Sequence, residues 1–149
     1  INVIPCRHDG ILPYGSVTST SFRTVVGWAS FGDRDYNYGA IVLPTDLGKI
    51  TGWFGFSVYS NSVLLNAIGN IAGYVNCGKL MYGRRKIAAV SNRRVYYTID
   101  TSAGQSGSAV YRISGGGRYA FAIHNQGGVA TNSGTRISSP VFNNMAAWK

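Results

Sequence analysis

The sequence predicts an all-β fold that ends in one short helix, and three features indicate it. Seven short segments are rich in β-branched and aromatic residues and are bounded by glycine, asparagine, serine or aspartate, as antiparallel strands require. The 149 residues include 20 glycines and 10 tyrosines, which suits a turn-rich β protein better than a helical bundle. A chain of this length buries one sizeable core, so we expect a single domain.

The predicted strands are, in chain order, residues 22–31, 38–43, 63–75, 93–99, 107–113, 118–125 and 134–139. The segment RISGGGRYAF is predicted to be a β-hairpin, because its glycine run permits the positive φ of a tight turn. At the end of the chain, Ser139 is a candidate N-cap and Pro140 a first-turn proline, and apolar residues then recur at helical spacing. This pattern predicts the C-terminal helix.

The charge is strongly positive, with 14 Lys and Arg against 5 acidic residues and a net charge of +9. Such a field attracts nucleic acid, an anionic surface or an acidic substrate. The basic clusters at 84–86 and 93–94 are short and indicate solvated charges at turns and edges. No apolar run has the roughly 18 residues that span a bilayer, and no aromatic–basic motif indicates nucleic-acid binding. We therefore expect neither a membrane nor nucleic acid as a partner.

The two cysteines, Cys6 and Cys77, have no CxxC or Cys/His metal spacing around them. We expect no metal and no cofactor. In an oxidising compartment the two thiols would form one long-loop disulfide. Pairing of either cysteine with another chain is the alternative.

The segment DTSAGQSGSAVY, residues 100–111, carries the strongest chemical signal. Small residues on both sides of Ser106 let the backbone turn sharply, which directs the amides of Gly104 and Ser106 into one concavity. Acyl transfer needs an activated hydroxyl and donors for the oxyanion, and this segment supplies the second requirement. An ordinary polar turn is the alternative. The strand predicted after Ser106 excludes the nucleophile elbow of α/β-hydrolases.

More of the chain shares a pattern with a known family. YNYGAIVL, the nucleophile segment, YAFAIHNQGG and GTRISSPVFNN, in this order, resemble the glutamyl endopeptidases, which are secreted chymotrypsin-like serine proteases of the V8 type. The resemblance implies a chymotrypsin-like double antiparallel β-barrel with a short C-terminal helix. Residues 1–149 would be one protease domain: about 1–50 the rest of the first barrel, about 51–138 the second barrel and 139–149 the helix. The first barrel would be incomplete, because the chain matches the C-terminal two-thirds of such a domain.

The resemblance implies a secreted serine endopeptidase that cleaves after Glu or Asp through an acyl-enzyme. Ser106 would be the nucleophile, with the amides of Gly104 and Ser106 as the oxyanion hole. This specificity would also explain why the chain contains no glutamate, since a protease that cuts after Glu is safer without any. Compositional drift is the alternative explanation.

The resemblance also implies a substrate site. Thr101 and His124 would bind the carboxylate of the substrate, and Gln105 would line the same site. Asn125 to Gly127 would run beside the substrate backbone as an added strand. The alternatives are a turn hydroxyl for Thr101 and a core histidine for His124. Peptides and proteins with acidic residues are the expected substrates.

Two positions depart from the family. The family's catalytic histidine lies in a TAGHC-type segment upstream of the region that Ile1 matches. His8 lies in a polar turn, so we expect the base to come from an N-terminal chain of the same precursor. Asn37 occupies the aspartate position of the triad, with Asp35 expected on the same strand face about 6–7 Å away. Asn in place of Asp removes the charge that stabilises the imidazolium. A catalytically inactive, protease-like binding protein is therefore the alternative function.

Overall fold

The computed structural model describes residues 1–76 and 78–148. Strands β1 to β11 span Asn2–Val3, Val17–Thr18, Ser21–Thr24, Gly39–Val42, Gly55–Phe56, Ile68–Tyr74, Leu80–Val90, Arg94–Tyr97, Ala109–Ser114, Gly117–Gln126 and Asn132–Arg136. Helices α1 to α4 span Val26–Ala29, Gly48–Thr51, Asn61–Leu65 and Ser139–Ala147, and a 3₁₀ turn spans Arg34–Tyr36. Within the described ranges, no helix has the length and apolar character needed to cross a bilayer.

A closed six-stranded antiparallel barrel forms the body of the molecule. Its strands follow the order β11, β8, β7, β6, β9, β10, and β10 pairs back to β11. Closure leaves the ladder of these strands without an open edge. The short strand β5 adds a parallel pairing to β10. The barrel interior is filled by fully buried side chains that include Ile71, Val95, Tyr97, Val110 and Phe121.

Helix α4 packs on a second core cluster, as the sequence predicts. Val141 is buried there with Tyr38 and Ile137. The N-cap is Ser138, one residue before the predicted cap, and the proline lies in the first turn. The hairpin is also confirmed, because Gly115 and Gly116 connect β9 to β10 with positive φ values of 54° and 78°.

Residues before the barrel form small paired pieces. Strands β1 and β2 form one two-stranded sheet, and β3 and β4 form another. Large apolar side chains stay exposed on these pieces, among them Phe22, Val26, Phe31 and Ile41. Exposed apolar surface of this extent is typical of an interaction surface.

Two predicted strands are helical over part of their length. The segment predicted as strand 22–31 is a strand only at Ser21–Thr24 and then forms α1, whose Gly27 lies against the ring of Tyr36 so closely that a Cβ would clash at 2.5 Å. The segment predicted as strand 63–75 opens with the end of α3, because the Ser60 hydroxyl caps the amide of Val63. Local capping and packing therefore overrode β propensity.

The expected placement of the basic clusters as solvated charges at turns and edges holds only in part, since residues 84–86 are exposed and Arg93 lies in the turn before β8. Residues 84–86 lie within β7, an 11-residue strand that the sequence did not predict, where only Ile87 is buried. Arg94 is 6% exposed and therefore buried rather than solvated. Arg93 lies over the ring of Tyr36, with its guanidinium carbon 4.1 Å from the centroid.

Candidate active site

Ser106 lies at the surface in the turn that precedes β9, and its side chain is exposed. The amide of Gln105 donates to the Ser102 carbonyl at 3.2 Å, and the amide of Ser108 donates to the Gln105 carbonyl at 3.0 Å. The Gln105 side chain is buried, and its oxygen accepts from the Ser102 amide at 2.8 Å. The buried Gln105 side chain thus stabilises the turn. Its expected contact with substrate stays a prediction.

Gly104 fits its position because only glycine has room there. Its φ is +100°, and a Cβ would lie 2.4 Å from the Asn76 nitrogen and 2.9 Å from the Tyr74 oxygen. The Asn76 amide also donates to the Ala103 carbonyl at 3.1 Å. The turn therefore lies directly against the end of β6, and any side chain at 104 would push it away.

The amides of this turn alternate in their pairing. The amides of Gln105 and Gly107 are used, the latter in a 2.7 Å bond to the His124 carbonyl. Within the described ranges, the amides of Gly104 and Ser106 donate no hydrogen bond, and the Ser106 hydroxyl has no partner. Two unused donors beside an exposed hydroxyl are what an oxyanion hole requires.

Ser106 and Asn37 line the same cleft, a cavity of about 860 Å³. Apolar side chains form most of its remaining wall, including Trp28, Ile41, Leu43, Phe54 and Ile137. No histidine is found among its described lining residues. The cleft therefore brings together Ser106, the predicted nucleophile, and Asn37, at the predicted aspartate position, and its described lining contains no candidate base.

Asn37 is held in place through its backbone. Its carbonyl oxygen accepts from the Asn125 side-chain amide at 2.7 Å and from the Thr135 hydroxyl at 2.9 Å. Asp35 lies in the 3₁₀ turn, where its amide donates to the Asp33 carboxylate at 2.9 Å. The expectation that Asp35 shares a strand face with Asn37 is therefore wrong, because these residues are not in a strand.

Arg94 supports this wall of the cleft, a role that the sequence did not indicate. Its guanidinium donates to the side-chain oxygens of Asn125 at 3.0 Å and Ser133 at 2.7 Å. A third bond of 2.8 Å goes to the Arg34 carbonyl. All three acceptors are neutral oxygens. Arg94 therefore connects the barrel to the 3₁₀ turn that precedes Asn37.

His124 lies beside the nucleophile turn but is buried. Its backbone pairs with the turn, since its amide donates to the Ser108 carbonyl at 2.9 Å. Its Nδ1 lies 2.7 Å from the Tyr97 hydroxyl, and both side chains are buried. Burial lowers the pKa of His124, and a hydrogen bond with the Ser133 backbone partly opposes this effect. Burial raises the pKa of Tyr97, with the Arg94 charge opposing. Burial therefore favours the uncharged form of both side chains.

The remaining candidates lie nearby or on another surface. Thr101 is partly buried at the start of the turn, and the exposed Gly127 follows β10. The exposed His8 ring contacts the Cys6 carbonyl at 3.1 Å, outside the cleft.

Cys6 is exposed, and Cys77 lies outside the described residues, so the disulfide stays a prediction. In the part of the chain that is described, no three His, Cys, Asp or Glu residues form a metal-binding group.

No protein-family model matches the chain. A glutamyl endopeptidase of Bacillus licheniformis is 37% identical over 158 residues, which are 99% of this chain and 49% of the relative. The chain is a homologue of the glutamyl endopeptidases. A protein of Bacillus subtilis named extracellular metalloprotease is 36% identical over 152 residues, with the same shares covered. The chain thus spans about half the length of the curated relatives it matches.

Solved structures confirm the predicted fold. A Glu endopeptidase structure superposes with a TM-score of 0.86 at 24% identity and covers 98% of this chain and 70% of its own. Protease Anisep from Arthrobacter nicotinovorans superposes with a TM-score of 0.78 at 18% identity and covers 97% of this chain and 73% of its own. The closed barrel and the C-terminal helix of this glutamyl endopeptidase homologue are those of the chymotrypsin-like proteases.

Proposed function

We propose that this chain carries the nucleophile and the substrate-binding barrel of a secreted serine endopeptidase that cleaves after Glu or Asp. One observation supports this most: the exposed Ser106 lies in a turn whose amides at 104 and 106 are unused, on the cleft that Asn37 also lines. The Ser106 oxygen would attack the scissile carbonyl, and the two amides would stabilise the oxyanion. The acyl-enzyme would then be hydrolysed by water.

The base histidine would come from an N-terminal chain of the same precursor, packed in the cleft. The apolar walls of the cleft support this partner, since Trp28, Ile41 and Phe54 are 37%, 41% and 43% exposed. Burying these side chains would stabilise the complex by about 25 cal/mol per Å² of apolar area.

The substrate would be a peptide or protein with an acidic residue at the cleaved bond. Thr101 and His124 would donate hydrogen bonds to that carboxylate. The residues from Asn125 to Gly127, at and just after the end of β10, would run beside the substrate backbone as an added strand. The net charge of +9 would attract such substrates.

A fluorophosphonate probe tests this proposal. The chain is co-expressed with a polypeptide containing the N-terminal strands and TAGHC-type segment of a glutamyl endopeptidase, and labelling is located by mass spectrometry. We expect labelling at Ser106 in the complex and loss of labelling in Ser106→Ala. Ser102→Ala is the matched control, because Ser102 is exposed in the same turn.

Cleavage specificity is measured on peptides that differ only by Glu or Gln before the scissile bond. We expect the complex to prefer the Glu peptide. A complex that forms but neither labels nor cleaves contradicts the proposal and supports the inactive binding protein, which Asn37 favours. In that outcome the acidic peptide should still bind in the cleft, measured by fluorescence anisotropy.

A further inference from the structure

The positive charge of the chain is concentrated in the part that forms the barrel. Residues 1–50 contain four Lys or Arg and four Asp, whereas residues 51–149 contain ten Lys or Arg and one acidic residue, Asp100. The whole net charge of +9 therefore belongs to the second part. Such an asymmetry along one chain indicates a surface that attracts an anionic partner.

The outer sides of strands β7, β6, β9 and β10 form one continuous surface. Side chains alternate along a strand, and Ile71 is buried in the barrel interior, so Ile68, three residues earlier, points outward. Lys86 of β7 lies opposite Ile68. Ile113 follows on the other side of Ile68 in the register of β6 with β9, and Arg118 of β10 lies opposite Ile113. One row across four strands therefore runs from a cation through two isoleucines to a second cation.

Two further positions of β7 extend this surface. Arg84 and Tyr82 precede Lys86 by two and four residues, so they face outward on the same strand. The Tyr82 hydroxyl donates to the side-chain oxygen of Asn70 at 2.6 Å, which holds the ring against the barrel wall. The basic–apolar face is formed by these six residues: Ile68, Tyr82, Arg84, Lys86, Ile113 and Arg118.

The three cations of this face have no partner within the chain. Arg84, Lys86 and Arg118 are exposed, and within the described ranges their side chains form no ion pair and no hydrogen bond. The two isoleucines between them are 49% and 54% exposed. An apolar centre with a polar rim is the usual arrangement of a protein interface.

An acidic protein fits this face better than other occupants. The backbone of a nucleic acid or a polysaccharide has no apolar surface with which to cover the two isoleucines. A second copy of the chain would bring a charge of +9 against +9. Side chains that enter a membrane project into the acyl region, whereas both isoleucines are about half buried in the sheet surface.

We propose that the basic–apolar face docks an acidic protein, whose apolar strip covers Ile68 and Ile113 and whose carboxylates pair with the surrounding cations. The face is distant from the nucleophile turn along β9, because Ser106 precedes the first residue of this strand and Ile113 lies next to its last. The described lining of the cleft contains none of the six residues. A docked protein therefore leaves the cleft open, and docking does not depend on the proposed function.

Titration of the ¹⁵N-labelled chain with three short peptides tests this proposal. The first peptide carries two isoleucines flanked by aspartates, the second has serines in place of the isoleucines, and the third has lysines in place of the aspartates. Amide chemical shifts give both the Kd and the location of binding. We expect the first peptide to bind about tenfold more tightly than the others, with shift changes on β6, β7, β9 and β10. Equal binding of the serine peptide, no binding, or shift changes confined to the cleft would overturn the proposal.

Two sets of substitutions separate the contributions of charge and apolar contact. The triple variant Arg84→Gln, Lys86→Gln, Arg118→Gln should raise the Kd of the first peptide roughly tenfold, because three ion pairs are lost. The double variant Ile68→Ser, Ile113→Ser should raise it by a similar factor of about ten, because the apolar centre is lost. An unchanged Kd in either variant contradicts the proposed contacts. If a variant does not fold, the three peptides on the parent chain still decide.

A charge-matched variant is the control. Arg7→Gln, Arg23→Gln and Lys49→Gln lower the net charge by the same amount at exposed positions outside the face. We expect the Kd of the first peptide to stay within about twofold of the parent value, because salt screens distant charges. A rise as large as in the triple variant of the face would show that net charge alone attracts the peptide, which overturns a specific docking site.

Competition with other anions tests the class of partner. Heparin, duplex DNA and phosphatidylserine vesicles are added to the complex of the chain with the first peptide, at equal concentrations of negative charge. We expect each of them to displace the peptide less effectively than an unlabelled copy of the same peptide. Stronger displacement by any one of the three would assign the face to a polysaccharide, a nucleic acid or a membrane and overturn the acidic protein.

Discussion

The side-chain amide of Asn125 donates a 2.7 Å hydrogen bond to the carbonyl oxygen of Asn37, which lies 88 residues earlier in the chain. The Thr135 hydroxyl donates to the same oxygen at 2.9 Å. Both donors belong to barrel strands, whereas Asn37 follows the 3₁₀ turn outside the barrel. The barrel thus fixes the backbone at the aspartate position of the triad, on the cleft that Ser106 also lines.

The Asn37→Asp variant should accelerate the two-chain complex. A carboxylate selects the imidazole tautomer that can accept the serine proton and stabilises the imidazolium, and in a serine protease the Asp-to-Asn exchange lowers kcat by about 10⁴. Because the backbone at 37 is already fixed, we expect kcat to rise by roughly 10²–10⁴ with little change in KM. Initial rates on a Glu peptide measure this. Asn92→Asp, at an exposed turn, should leave the rate unchanged. Equal rates for Asn37→Asp and the parent would show that residue 37 does not contact the base.

The Arg94→Met variant should destabilise the chain. The substitution removes three hydrogen bonds and leaves the Arg34 carbonyl, the Asn125 amide oxygen and the Ser133 hydroxyl without this donor. Hydrogen bonds to charged groups contribute about 1.5–3 kcal/mol each, so we expect the loss of three to lower the free energy of unfolding by about 4.5 kcal/mol or more. Urea denaturation measures this. Arg85→Met is the control, since Arg85 is exposed on β7, and it should change stability by no more than about 0.5 kcal/mol. Similar losses in both variants would contradict a structural role for Arg94.

The Gly104→Ala variant tests how tightly the nucleophile turn is packed. A Cβ at 104 meets the Asn76 nitrogen at 2.4 Å in addition to the strain of a φ of +100°. The turn must move, which displaces an oxyanion donor, and the loss of one such donor costs about 10²–10³ in kcat. Gly116→Ala has similar strain, with φ +78°, but no atom within 4 Å of the added Cβ. We expect Gly116→Ala to lower the free energy of unfolding by about 1–2 kcal/mol through backbone strain alone. We expect Gly104→Ala to lower it further, and only this variant to lose kcat.

The sequence predicted the barrel better than the pieces that precede it. Segments such as 107–113 and 118–125 are β-branched and aromatic runs bounded by turn residues, and their central residues are buried in the closed barrel. The segment 80–90 is a long strand that lacks such a pattern, because only Ile87 is buried. Pairing with β6, rather than its own residues, makes this segment a strand. Likewise, 22–31 has high β propensity, yet the contact of Gly27 with Tyr36 turns part of it into a helix. Neither the strand pairing of 80–90 nor the contact of Gly27 with Tyr36 can be predicted from the local sequence.

The sequence predicted which residues form the candidate site but not the hydrogen bonds that hold them in place. Ser106 and Gly104 carry a local signature, because the small residues around the serine let the backbone turn sharply there. The partners Tyr97 and Arg94 have no such signature. Tyr97 is one of two adjacent tyrosines in its strand, and Arg94 belongs to a pair of arginines of which one is buried and one is not. Their roles depend on distances across the barrel, namely 2.7 Å from Tyr97 to His124 and 2.7 Å from Arg94 to Ser133.

The stability of the chain should fall as the pH decreases below the ordinary pKa of histidine. Burial lowers the pKa of His124 in the folded chain below its ordinary value of 6.5. The unfolded chain therefore binds a proton first, so the free energy of unfolding declines from pH 6.5 down to the folded pKa, by up to about 1.4 kcal/mol per pH unit. Urea denaturation at several pH values between about 5.5 and 7.5 measures this slope, a range in which aspartates stay charged.

Two variants assign that slope to one ring. In His124→Asn the decline between about pH 5.5 and 6.5 should disappear, because no buried imidazole remains to be protonated on unfolding. In His8→Asn it should persist, because the ring of His8 is exposed. Stability that increases on acidification in the parent chain would mean that a negative group faces His124 and holds its proton. The ring would then be an imidazolium in the folded chain, and the neutral pair that it forms with Tyr97 would not exist.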